Sequence, residues 1–158
     1  MNKLILSSLL LGLSVPALAD FNCNGVIKNK TIDDNVKVTQ PCTLDQVTVK
    51  GNVMLYSNAQ ATILNSTIDG NLESKGNFGQ VTAKNNSIDG NIQLEKGKTI
   101  QLHNNRVDGN IELKENRSSI QVTANQVYGN LKCESNSQTP KGGQNRVKGD
   151  KEGQCRSL

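Results

Sequence analysis

The sequence predicts an all-β chain built as a β-solenoid, a single-stranded coil of stacked parallel strands. Three observations predict it. A short string recurs at residues 49–53, 68–72, 88–92, 107–111 and 127–131, each time with Gly-Asn after the second position. Weaker copies lie at 32–36 and 147–151, so the corner positions are 34, 51, 70, 90, 109, 129 and 149. Self-similarity at this period marks a fold whose units cannot bury their own apolar face and must lean on their neighbours. Within each unit aliphatic residues alternate, as in Ile88, Ile92 and Leu94 or Val107, Ile111 and Leu113. A period of two means strands. Finally, with two Tyr, two Phe and no Trp, the interior must be filled by stacked Ile, Val and Leu, and no amphipathic helical pattern competes.

Taken in order along the chain, residues 1–19 read as a secretory signal peptide. Met1-Asn2-Lys3 is a basic start, Leu4 to Val15 an apolar run too short to span a bilayer, and Ala17-Leu18-Ala19 a small-residue cleavage site. Residues 20–31 are expected to form an N-terminal cap. Residues 32–134 hold the coils, about six of about 20 residues each. A second alternating pair precedes each corner, at Cys42/Leu44, Ala61/Ile63, Val81/Ala83, Ile100/Leu102 and Ile120/Val122, so every coil carries several short strands. Gly at the corner is expected to supply positive φ, and Asn to bond local backbone. Stacking then places Asn52, Asn71, Asn91, Asn110 and Asn130 above one another as a structural ladder, and Asn65, Asn85 and Asn104 along another corner. Residues 135–158 read as a degenerate last coil and a disulfide-bonded C-terminal cap.

These aliphatic stacks and asparagine columns over residues 32–150 resemble the right-handed parallel β-helix superfamily, of the pectate-lyase-like kind. Handedness is implied by that resemblance alone. So is a range of functions, since such folds include polysaccharide lyases and hydrolases, adhesins and inert scaffolds.

Four cysteines, Cys23, Cys42, Cys133 and Cys155, in an exported chain read as two disulfides. Pairing 23 with 155, or 42 with 133, would join ends about 25 Å apart at the strand spacing, against the roughly 7 Å that a disulfide tolerates between Cα atoms. Two connectivities remain, of which Cys23–Cys42 with Cys133–Cys155 alone closes local loops at each end. Disulfide-capped ends protect the open strand edges of a solenoid.

Outward positions carry the functional expectations. Thr62, Gln80, Thr82, Thr99, Gln101 and Gln121 form an uncharged stripe suited to hydrogen-bonding a sugar chain, although the aromatic rings that sugar platforms recruit are missing from it. Asp69, Asp89 and Asp108, grouped with Glu73 and Glu112, form an acidic stripe whose stacked aspartates a divalent cation such as Ca²⁺ could bridge; no cofactor is otherwise expected. Loss of Lys3 with the leader leaves 17 of the 18 basic residues against 14 acidic ones, too dispersed for a nucleic-acid footprint. His103 is the only histidine and has no nucleophile signature beside it, so no catalytic residue is assigned. The expected protein is a periplasmic or secreted, monomeric, non-enzymatic structural or binding module that is not inserted in a membrane. Its rigid surface would face a glycan, an envelope component or a protein. The alternatives are a small polysaccharide-lyase-like enzyme and self-assembly into filaments.

Overall fold

The computed structural model describes residues 19–158; the leader assigned to 1–19 lies outside them except for Ala19. The described chain contains strands and turns and no helix, and every strand pairing in it is parallel. The strands stack as three faces of a parallel β-solenoid. The first face is built from Gln60–Leu64, Gln80–Lys84, Thr99–His103, Ile120–Thr123 and Lys141–Gly143. The second has seven two-residue strands, from Thr31–Ile32 through Ser87–Ile88 to Arg146–Val147. The third runs from Val53–Leu55 through Leu72–Ser74, Ile92–Glu95, Ile111–Lys114 and Leu131–Glu134 to Lys151–Gly153. Two long strands, Phe21–Lys28 and Val36–Asp45, pass from the third face to the first, their mutual register shifting between Cys23 and Gly25.

There are about seven turns rather than six. Residues 21–28 already pair with 36–45, and Lys141–Gly143, Arg146–Val147 and Lys151–Gly153 make a complete last coil. The decayed copies still close coils because Ile32 and Val147 keep the inward aliphatic column.

That interior is a set of aliphatic stacks. Ile68, Ile88 and Val107 on the second face, Leu72, Ile92 and Ile111 on the third, and Ile63, Ala83 and Leu102 on the first are all essentially inaccessible. The one aromatic in the centre, Phe78, has its ring where a Cβ on Gly97 would sit, 2.0 Å from the ring, so the coil beyond must have glycine there.

The corner glycines serve a different purpose from the expected one. Gly51, Gly70, Gly90, Gly109, Gly129 and Gly149 are not among the residues with positive φ. A Cβ on Gly90 would instead lie 2.4 Å from Asn71 Oδ1 and 2.6 Å from the Gly70 carbonyl oxygen of the preceding coil. Glycine is required by how closely one coil approaches another. The one non-glycine corner, Asp34, lies in the first coil of the described residues, with no complete coil stacked before it among them. Positive φ falls five residues earlier, at Asn29, Gln46, Asn65, Asn85, Asn104, Ala124 and Gln144. Asparagine tolerates the left-handed region better than most residues.

Cys23 bonds Cys42 and Cys133 bonds Cys155, with Cα atoms 5.7 and 5.2 Å apart, so each disulfide staples one end of the stack. Closing loops of this size contributes on the order of 3 kcal/mol each in the chain-entropy model. Leu158 turns back beside Cys155 and is buried with it over the C-terminal end of the core, while the Lys151 ammonium donates to its carbonyl.

Candidate functional site

Four ladders of polar side chains run along the corners and make the faces rigid; the fourth, which is exposed, joins Asn104, Asn85 and Asn65 to Asp45, each amide donating to the side-chain oxygen one coil earlier at 2.9–3.2 Å. At the Gly-Asn corner the backbone N–H groups of Asn52, Asn71, Asn91, Asn110 and Asn130 each donate to the side-chain oxygen of the asparagine one coil earlier, at 2.7–2.9 Å. The chain of bonds continues to Asp150 at one end, and at the other Asn35 donates to Asp20 at 3.0 Å. The Lys37 ammonium, 2.7 Å from Asp20, and then the Asn35 amide hold that carboxyl below its usual range.

Between the first and second faces lies a second ladder that is buried. Ser66, Asn86, Asn105, Asn125 and Asn145 point inward and are at most 6% exposed. The Asn86 and Asn105 backbones donate to the side-chain oxygens of Asn105 and Asn125, one coil later. Their amides donate to the same oxygens and to Ile63 and Ala83 carbonyls. A third buried ladder, Asn116, Asn136 and Gln154, begins beyond Phe78, with the Gly97 N–H as its first donor. Among the described residues, no buried side-chain N or O atom lacks a partner. The doublets Asn85-Asn86 and Asn104-Asn105 were the available signal for the second ladder; the first member of each takes the left-handed turn and the second turns inward.

On this frame the first face presents two outward columns. Gln60, Gln80 and Thr99 are in register, as are Thr43, Thr62, Thr82, Gln101 and Gln121. Adjacent members of a column are about one strand spacing, roughly 4.8 Å, apart. The columns are uncharged until Lys141 takes the next place in the second of them. A charged edge runs beside them, with Asp45, Leu64, Lys84, His103 and Thr123 in register. The surface is shallow, with hollows of about 220 Å³ around Thr43 and Thr62 and about 310 Å³ around Gln101 and Gln121. The first-face strands are regular because β-branched Thr and Val suit a pleated surface whose inward partners are aliphatic.

The acidic stripe divides at the corner. Asp69, Asp89 and Asp108 follow the second-face strands, whereas Glu73 and Glu112 lie on the third face, in register with Gln93 between them. Their spacing of four residues spans the Gly-Asn turn, so the two sets point from different faces. Asp69 pairs with Lys50 at 3.1 Å, Asp108 with Arg106 at 2.8 Å, and Glu73 with Lys75 at 3.1 Å. No three His, Cys, Asp or Glu side chains among the described residues come together where a metal ion could be held.

A different feature emerges on the second face. Its outward column runs Thr31, Thr48, Thr67, Ser87, Arg106, Gln126, Arg146 in continuous register. Beside it the aspartates give way to Tyr128 and Lys148, which occupy the equivalent place in the last two coils. Arg106 lies over the Tyr128 ring, 4.2 Å from its centre, and donates to the Tyr128 hydroxyl, as does Gln126 at 2.9 Å. Its bond to Tyr128, and then the Asp108 carboxylate beside it, raise the Arg106 pKa above its ordinary value. An open groove of about 880 Å³ follows the corner beside this column, lined by Asn85, Asn104, Gln126, Gln144 and Arg146 among others. The sequence carried the signal in the position three before each corner glycine.

The two disulfides suggest a non-cytosolic environment, and no helix among the described residues is long and apolar enough to cross a membrane. No family model, no curated protein and no solved structure matches the chain.

Proposed function

We propose that this chain is an exported, non-catalytic binding module of the periplasm or cell exterior that lays its first face against a hydroxyl-rich glycan of the envelope. The observation that carries this reading is the pair of uncharged columns, Gln60/Gln80/Thr99 and Thr43/Thr62/Thr82/Gln101/Gln121, held at a constant coil spacing. Threonine hydroxyls and glutamine amides both donate and accept hydrogen bonds, as sugar hydroxyls do. A sugar unit is about as long as one coil is tall, so successive units of a chain lying along the stack meet successive coils. Without aromatic stacking each contact is weak, and affinity comes from the number of coils engaged. The frame suits this use because its ladders order the face before any ligand arrives, which lowers the entropy lost on binding. The leader, its removal after Ala19, and membership of the right-handed, pectate-lyase-like β-helices belong to the same proposal.

The test is co-sedimentation with insoluble peptidoglycan, chitin and cellulose. The native protein is expected to pellet with at least one of them, and the double variant Thr82→Lys/Gln101→Lys to remain in solution with its far-ultraviolet circular dichroism unchanged. Equal pelleting of both proteins, or of neither, overturns the reading.

A further inference from the structure

We infer that the groove at the corner of the first and second faces is a second site, separate from the uncharged first face, and that it takes a ligand presenting phosphate groups. The site includes the adjoining hollow of about 300 Å³ around Tyr128 and Lys148, which shares Gln126 and Arg146 with the groove. Beyond Asp108 the residues beside the second-face column change from aspartate to Tyr128 and Lys148, which makes this end fit for an anion; Lys50, the other cation in that place, is paired with Asp69. The coils holding Asp69 and Asp89 present threonine or serine beside aspartate, and the last two coils present Gln126 with Tyr128 and Arg146 with Lys148. Arg106 sits at the boundary, paired with Asp108 at 2.8 Å. No carboxylate pairs with Arg146 or Lys148 among the described residues.

The donors there are already ordered. Arg106 and Gln126 both donate to the Tyr128 hydroxyl, which fixes all three side chains and occupies the oxygen's acceptor capacity. The Tyr128 proton is therefore left to be given outward. Arg146 follows Gln126 in register, so the backbone positions of Arg106 and Arg146 stand two strand spacings, about 10 Å, apart with Gln126 between them. Across the groove Asn104 and Gln144 add further amides. A phosphate group, with at least three acceptor oxygens, can use a guanidinium fork, an amide and a hydroxyl together, where a carboxylate has two oxygens to offer. The same chemistry is found on a soluble polyphosphate and on a phosphorylated lipid headgroup.

Calorimetric titration with sodium tripolyphosphate and co-sedimentation with phosphatidic acid vesicles in phosphatidylcholine separate those two sources. Binding in either arm supports the site, and the arm in which it occurs names the source. The exposed double variant Arg146→Gln/Lys148→Gln is expected to bind about tenfold more weakly or worse, while Arg117→Gln, a cation in the loop after Ile111–Lys114, changes affinity by less than about twofold. Thr82→Lys/Gln101→Lys, which tests the first face, is expected to retain phosphate binding, so the two readings fail separately. The inference is overturned by absence of binding in both arms, by an equal loss in Arg117→Gln, or by polygalacturonate binding as tightly as tripolyphosphate with the same dependence on Arg146 and Lys148.

Discussion

Replacing Asn105 by leucine tests whether the buried ladder contributes more to stability than the exposed Asn65/Asn85/Asn104 ladder beside it. The substitution keeps the side chain's approximate volume and removes four hydrogen bonds. Asn105 Oδ1 accepts from the Asn86 backbone at 3.1 Å and from its amide at 3.0 Å, and Asn105 Nδ2 donates to the Ala83 carbonyl and to Asn125 Oδ1, both at 2.9 Å. The backbone N–H of Asn86, itself 3% exposed, and one of its two amide N–H bonds lose their acceptor, while the other keeps the Ile63 carbonyl. A buried group orphaned in this way costs about 1–3 kcal/mol, so the expected loss is about 3–5 kcal/mol, a large share of the roughly 5–15 kcal/mol that a domain has. The internal comparison is Asn85→Gly, one residue away. Asn85 has a φ of 58°, which glycine accepts, and its ladder bonds to Asn65 and from Asn104, at 3.2 and 2.9 Å, are exposed and replaceable by water. Its loss should be below about 1 kcal/mol. Guanidinium unfolding followed by far-ultraviolet circular dichroism measures both. Equal midpoint shifts for the two variants, or a loss below about 1 kcal/mol for Asn105→Leu, would refute the argument.

Two further outcomes follow from the same geometry. Gly90→Ala drives a methyl group against Asn71 and the Gly70 carbonyl and should cost about 1–3 kcal/mol or more, whereas Gly79→Ala, whose nearest neighbour would be the Ala59 carbonyl oxygen at 3.3 Å, should lower thermal stability by less than Gly90→Ala does. Asp20 has its carboxyl pKa depressed by Lys37 and Asn35, so the stability it contributes is present above the ordinary carboxylate pKa and lost as pH falls through the lower, folded value. Asp20→Asn is accordingly expected to lower the melting temperature near neutral pH and to match the native protein in strong acid, as a melting series across pH would show.

Much of the architecture could be read without coordinates because the repeat is itself a record of stacking. Residues about 20 apart share a column, so the inward aliphatics Ile68, Ile88 and Val107, the outward Thr62, Thr82 and Gln101, and the positions of the cysteines were all legible as columns. Column membership does not say how far a corner rotates. Asn85 and Asn86 look alike in sequence, but the first has positive φ and faces water, and this sends the second inward. Asp69 and Glu73 look like one acidic stripe until the turn between them puts them on different faces.

The amino-acid sequence by itself therefore determined the period, the all-β parallel coil, the aliphatic interior and the staples at its ends, since each depends on which residues recur in step. Only the packed coils decided why the corner residue must be glycine, which asparagines are buried, and that Arg106, Gln126, Tyr128, Arg146 and Lys148 share one strip. Those features depend on the distance between one coil and the next, and on the direction a side chain takes once the backbone before it has turned.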